Sequence, residues 1–172
     1  MIDKLLYASW LESGEALQRA RIDLVALVRQ QVGDLDASAR GQGVSLRLAV
    51  EEPCIASGDA EQLGEALGNL ISNAIKYSTR GGEVRVTVEQ CQGMASVRVQ
   101  DEGIGIAPEH LPHVFEQFYR VQTPETRRIK GSGLGLPIAK AIAERHGGAL
   151  LVQSEPNTGS ASATFSARLS VA

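Results

Sequence analysis

The sequence predicts an α+β fold, on three observations. Amphipathic helical patterns come first, at residues 2–17 and 22–39, and strands of period two are then mixed with further helices. Two of those strands follow one another as a hairpin, with no crossover helix between them. A doubly wound parallel sheet would instead alternate strand and helix throughout. At 172 residues the chain is one domain, or one domain with a helical appendage, and is long enough to bury a core. Its hydrophobic fraction of 43% and charged fraction of 22% are those of an ordinary globular protein.

The first helical stripe is Ile2, Leu5, Leu6, Trp10 and Leu17, fading at Ser13-Gly14. It starts directly after Met1, which predicts a piece of something larger. The second carries Val25, Val28, Val32 and Leu35 on one face, has Asp23 near its start where a carboxylate favours the dipole, and is closed by Gly41 and Gly43. Val44, Leu46, Leu48 and Val50 alternate as a half-buried strand; Pro53 interrupts, and residues 54–57 form a short strand. Asp59 is the expected N-cap of the next helix, with Gln62 completing a capping box, and that helix ends near Ser78. Val84, Val86, Val88 and then Val97, Val99 give the hairpin, joined around Gln92-Gly93. A loop with Gly103 and Gly105, an amphipathic piece at 109–118 and a polar, basic stretch at 122–130 follow. A helix over 134–146, the turn Gly147-Gly148, and strands near 150–153 and 161–169 complete the chain.

Composition excludes several functions. A net charge of −3, with no basic stripe interleaved with aromatics, argues against a nucleic-acid surface. No apolar run approaches the ~20 residues of a bilayer span, so the chain itself is not expected in a membrane, and a cytoplasmic location is expected. Cys54 and Cys91 lack the neighbours of a metal site and read as two buried thiols.

Chemistry concentrates in three segments. Asn69, Asn73, Lys76 and Tyr77 lie at i, i+4, i+7 and i+8 and so share one helix face. Carboxamide oxygens suit a hard cation such as magnesium, and an ammonium suits the phosphates such a cation escorts. The second segment, Asp101-Glu102-Gly103-Ile104-Gly105-Ile106, follows a strand; its carboxylate could accept from an exocyclic amine such as adenine N6. Alone it reads better as an Asp-Gly turn. The third, Gly131-Ser132-Gly133-Leu134-Gly135-Leu136-Pro137, opens a helix, whose N-terminal N–H groups bind anions. Its glycine spacing is neither the dinucleotide fingerprint nor a P-loop, so alone it is a weak signal.

In this order, with Phe115 and Phe118 between the glycine segments, the series resembles the catalytic ATP-binding domain of sensor histidine kinases over roughly residues 22–170. Phe115-Glu116-Gln117-Phe118-Tyr119-Arg120 is similar to that family's phenylalanine box, and His146-Gly147-Gly148 to the turn ending its last helix. The resemblance implies a two-layer α/β sandwich: a mixed, mostly antiparallel sheet packed on three helices, with ATP beneath a mobile lid. It implies that Asn73 and Asn69 face Mg2+, that Lys76 touches the phosphates, and that Tyr77 lines the nucleotide. Asp101 would read adenine, with Gly103, Ile104 and Gly105 giving clearance and padding. Gly131, Gly133, Leu134 and Gly135 would wrap the phosphates, and residues from about Phe118 to Lys130 would be the lid, with Arg120 its best candidate for a further phosphate contact. Lys130, Arg127 and Arg128 read as a solvated charged face.

Related ATPases of the gyrase and MutL class carry a Glu at the position matching Asn69. An amide cannot act as a general base, so the site is expected to hold ATP for an external nucleophile. Glu65, one turn earlier, reads as an exposed helix charge rather than a substitute base. The family's acceptor histidine is absent: His110 and His113 read as surface or packing residues, and His146 as a helix C-terminal residue favoured by partial positive charge. By the same resemblance residues 1–20 are the remnant of a dimerisation helix and its linker, and 21–172 the catalytic domain. Expected partners are ATP, the dimerisation and phosphoacceptor domain of the parent kinase, and a response regulator; the parent could be anchored in the inner membrane. Two other readings compete: a degenerate nucleotide module used for protein interaction, disfavoured by the intact segments, and an anti-sigma-type serine kinase, disfavoured by the His146 turn and the helix remnant.

Overall fold

A computed structural model describes residues 16–50, 53–91, 94–155 and 160–167. Residues 2–15 of the expected helix over 2–17, the hairpin turn at Gln92-Gly93 and the side chain of Cys91 fall outside what is described, and Ala16 and Leu17 are not helical. The elements are β1 (Ala20–Asp23), α1 (Leu24–Gln42), β2 (Ser45–Val50), β3 (Ile55–Gly58), α2 (Ala60–Tyr77), β4 (Glu83–Cys91), β5 (Met94–Asp101), α3 (Gly135–Arg145), β6 (Ala149–Glu155) and β7 (Ser160–Ala167). Five strands form one sheet in the order β2-β4-β5-β7-β6, antiparallel except for β2 on β4. The helices pack together on this sheet, α2 between α1 and α3. The expected two-layer α/β sandwich with a mixed sheet is the architecture found.

Helix α2 shows why a polar face survives in the middle of the fold. Leu63, Leu67, Leu70, Ile71 and Ile75 are almost wholly buried, each stabilising the fold by roughly 1.5–3 kcal/mol. That outweighs the roughly 1 kcal/mol each that Gly64 and Gly68 cost a helix interior. Gly68 faces α1, where a Cβ would lie 2.9 Å from the Oε1 end of the flexible Gln31 side chain. The opposite face is free to be chosen for chemistry.

Three expectations are corrected here. Residues 20–23 are a strand, paired with β3 from Ala20↔Gly58 to Asp23↔Ile55, so α1 begins only at Leu24. Asp23 is its N-cap, accepting from the Ala26 N–H at 3.0 Å, and Gly43 at φ 72 closes it. Asp59 does cap α2, its Oδ1 accepting from the Gln62 N–H at 3.2 Å, yet the reciprocal half of a capping box is missing. The Asp59 N–H instead donates to His146 Nε2 at 3.1 Å.

His146 is therefore not a positive helix terminus. Its ring is buried, Nδ1–H donates to the Ile142 carbonyl at 2.8 Å, and burial holds its pKa below the ordinary value. The neutral ring joins the end of α3 to the start of α2. Gln18 N–H adds a bond to Asp59 Oδ2 at 3.0 Å, fixing the chain's approach to the same corner. Cys54 is a free, buried thiol, its pKa raised by burial and then by the charge of Asp23. Among the described residues no helix is long and apolar enough to cross a membrane.

Candidate functional site

A cavity of about 570 Å³ opens between α2, the end of β5 with its following loop, and the segment around residues 119–126. Asn73 and Tyr77 line it from the helix, Asp101 from the sheet, Ile104 and Gly105 from the loop, and Arg120 from the far side. Six of the expected site residues thus meet at one void.

Alternation along β5 buries Ala95, Val97, Val99 and Asp101 on the helix side of the sheet. Asp101 ends this row: a carboxylate, only 8% exposed, standing where the preceding three positions are apolar. An acidic group costs stability there unless it meets a polar partner. Gly105 has φ 68 and turns the loop along the cavity, and Ile104 sits at its edge, 39% exposed.

Gly103 has a structural task besides the ligand clearance expected of it. A Cβ there would lie 2.3 Å from the Tyr77 carbonyl oxygen and 2.5 Å from Asp101 Oδ1. The clearance is for the chain itself. Gly103 bridges to Ser78, and Ile104 N–H donates to the same Tyr77 carbonyl at 3.1 Å, so the end of α2 and the loop after β5 are sewn together.

The asparagine pair meets the glycine segment at Gly135, the first residue of α3. A Cβ on Gly135 would be 3.3 Å from Asn73 Nδ2 and 3.5 Å from Asn69 Oδ1. Both amides therefore lie against a helix N-terminus whose N-cap, Leu134, supplies no side-chain hydrogen bond. Pro137, in the first turn, has no N–H to leave unsatisfied. The amides do not share one void, however. Asn73 lines the main cavity, while Asn69 lines a separate groove of about 620 Å³ between α1 and α2, with Glu65 nearby. The Glu65 pKa is raised by desolvation and then by Glu61.

Lys76 is exposed in the last turn of α2 and is not among the residues lining the cavity. The Leu134 side chain is 3% exposed and packs inward, while Leu136 lines the cavity. Gly131 is exposed with open space around its Cα, and its carbonyl accepts from Arg120 at 3.1 Å. Arg120 also donates to the Ile129 carbonyl. Gly133, at φ 75, passes so close to the phenylalanine box that a Cβ would lie 2.8 Å from the Phe118 carbonyl carbon. Phe118 N–H donates to the Gly133 carbonyl at 3.0 Å, and Phe118 itself adopts φ 62, a left-handed conformation rare outside glycine.

Several cavity residues are not among the expected site residues, although Tyr119 belongs to the phenylalanine box and Thr123, Glu125 and Thr126 to the expected lid. Glu109, His110, Tyr119, Thr123, Glu125 and Thr126 reach it through the path of the loop. Thr126 organises that path: buried, its hydroxyl accepts from the Thr123 N–H at 2.8 Å and donates to the Val121 carbonyl at 2.6 Å. His113 behaves as a surface residue paired with Glu116 at 2.6 Å. His110 does not; it lines the cavity.

The comparisons with known proteins agree with this geometry. A family model described as the histidine kinase-, DNA gyrase B-, and HSP90-like ATPase matches residues 58–171. The sensor histidine kinase RppB of Synechocystis sp. (strain ATCC 27184 / PCC 6803 / Kazusa) is 40% identical over 93% of this chain and 36% of its own length. For the sensor histidine kinase CusS of Escherichia coli (strain K12) the values are 34%, 90% and 32%. The chain thus spans about a third of the length of these curated relatives. Among solved structures, full-length ShkA in complex with AMPPNP superposes with a TM-score of 0.86 at 30% identity, covering 99% of this chain and 35% of that one. The mycobacterial sensor histidine kinase MprB gives 0.73 at 29% identity, covering 88% of this chain and 99% of that one. Motifs, fold and a family match across most of the sequence lead to one assignment: the chain belongs to the histidine kinase-, DNA gyrase B- and HSP90-like ATPase family.

Proposed function

We propose that this chain is the ATP-binding catalytic domain of a sensor histidine kinase, acting in two-component signalling on a histidine carried by another part of its parent. The observation that carries the reading is the meeting of Gly135, at the N-terminus of α3, with the Asn69 and Asn73 amides beside the cavity that Asp101 lines. Anion-binding N–H groups and cation-binding oxygens then lie beside a cavity that holds a buried carboxylate for the base.

In this reading Asp101 accepts from adenine N6 while Ile104 and Tyr77 flank the ring and ribose. The N–H groups of Gly131, Gly133 and Gly135 receive the phosphates, with Lys76 reaching in from the helix end and Arg120 exchanging its lid carbonyls for phosphate oxygen. The donor set fits Mg2+: two carboxamide oxygens that leave most of its coordination to water and phosphate. Among the described residues no group of three His, Cys, Asp or Glu could cage a metal. Asn69 and Asn73 would hold the ion, which when bound neutralises charge between the phosphates.

Transfer then needs little covalent help from the domain. An imidazole nitrogen of the acceptor attacks the γ-phosphorus, the bond to the β,γ-bridging oxygen breaks, and ADP leaves with the electron pair. The imidazole proton must go to a base supplied with the acceptor, because an amide at position 69 cannot take it. A response regulator would receive the phosphoryl group next.

The test is to mix the chain with γ-labelled ATP, Mg2+ and a dimerisation-helix fragment of the same parent. Acid-labile label on the histidine fragment is expected. Label confined to the catalytic chain, or acid-stable label on a serine, would reject a histidine kinase.

A further inference from the structure

His110 and Tyr119 stand together on the outer wall of the cavity, both among its lining residues. The Tyr119 hydroxyl and His110 Nδ1 share a hydrogen bond of 2.7 Å, and their ring centroids are 6.2 Å apart. The His113 ring lies 5.4 Å from the Tyr119 ring, inclined by 35°. The phenol is thus held at its tip and along its side.

The two partners belong to differently anchored pieces of chain. His110 stands on a turn fixed to the sheet: its N–H donates to the Ala107 carbonyl at 2.9 Å, and Ile106 N–H donates to Ser154 Oγ on β6 at 2.7 Å. Tyr119 belongs to the strap tied to the glycine segment, through Phe118 N–H on the Gly133 carbonyl before it and Arg120 on the Gly131 carbonyl after it. Successive turns already join the two through backbone bonds, His113 N–H to the His110 carbonyl, Glu116 N–H to the His113 carbonyl and Tyr119 N–H to the Glu116 carbonyl, and the side-chain bond adds a direct tie between the base side and the phosphate side. Both residues are only half-buried, so water could satisfy either one, and the bond is not required to bury them. Its consequence is positional.

We infer that His110 and Tyr119 are a positioning pair for nucleotide binding, holding the root of the lid against the fixed wall; this rests on the nucleotide site proposed above. The bond involves neither of the amides nor the γ-phosphate end of the site. Its loss weakens ATP and ADP alike, by releasing the bound nucleotide faster.

The experiment is displacement of a fluorescent nucleotide from the full chain by Mg-ATP and by Mg-ADP, with release rates from stopped flow. Tyr119→Phe and His110→Ala are each expected to weaken both nucleotides by about three- to tenfold, the scale of one hydrogen bond, mostly through faster release. The double variant is expected to be no weaker than either single one. His110→Gln, whose amide can still meet the hydroxyl, restores tighter binding. Parent-like affinity in Tyr119→Phe, losses that multiply in the double variant, or a loss confined to ATP would overturn the pairing. A purely structural role would lower the melting temperature of the ligand-free chain and leave both release rates unchanged. If the parent chain takes up neither nucleotide, the site itself is refuted and the pair with it.

Discussion

Gly103→Ala separates clearance for the chain from clearance for a ligand. The added Cβ would meet the Tyr77 carbonyl oxygen at 2.3 Å, whereas ordinary contact begins at 3.4 Å. The end of α2 or the loop must therefore move by about 1 Å, an overpacking cost of about 1–3 kcal/mol. The same movement strips the Ile104 N–H bond to Tyr77 and the Ser78–Gly103 bridge, at about 1 kcal/mol each. The sum is about 3–5 kcal/mol, a large share of the 5–15 kcal/mol typical of a domain. For a chain of this size that lowers the melting temperature by about 6–20 °C. Circular dichroism melts of the ligand-free chain read it directly. Gly131→Ala is the control, with nothing within 4 Å of its new methyl, and should change stability by no more than about 0.5 kcal/mol. Melting of Gly103→Ala within about 2 °C of the parent would refute the reasoning.

The remaining predictions use the same measurements. Asp101→Asn should weaken ATP while leaving inorganic phosphate contacts intact and narrowing the preference for ATP over GTP; parent-like affinities for both would reduce the residue to a turn former. His146→Ala should cost about 2 kcal/mol or more, because the buried Asp59 N–H loses its acceptor, as read by urea unfolding. The parent's own stability should depend on His146 protonation in a definite direction. Burial lowers the ring's pKa in the folded chain, so only the unfolded chain takes up a proton just below about 6.5. The contribution is complete above that pH and is lost as pH falls through it; a parent whose stability rises on acidification across this range would contradict the neutral ring. Gly43→Ala places a side chain at φ 72 in the cap of α1 and should cost about 1 kcal/mol in the same assay.

What the sequence revealed, and what it hid, follows from the range of the interactions involved. Helix α2 was legible because its apolar stripe, its cap Asp59 and its amide face are all local patterns, and the β4–β5 hairpin because valines alternate on both strands. Strand β1 was not, since four residues carry too little periodicity and the strand exists only through its pairing with β3. The Gln62 capping box failed for a similar reason: a distant histidine took the N–H that a local glutamine was expected to hold. His146 could not be read as a buried neutral bridge from its own helix alone. Gly103 fitted a ligand-clearance pattern, but only the folded chain shows the Tyr77 carbonyl beside it. The cavity's outer wall is assembled by a loop whose path depends on contacts with the sheet and the glycine segment rather than on local pattern. Asn69 was correctly grouped with Asn73 by helical spacing, yet the packing of α1 gives it a second groove to face.

The central claim, that the α2 amides and the glycine segment of α3 form the cation and phosphate end of an ATP site, is tested most directly by one titration. Mg-ATP is titrated calorimetrically into the parent and into Asn73→Ala, with and without Mg2+. The account predicts Mg2+-dependent binding to the parent, and in the folded variant a loss of at least about tenfold that removes the Mg2+ dependence. An Asn73→Ala chain that binds Mg-ATP as tightly as the parent, with the same dependence on the ion, would contradict it.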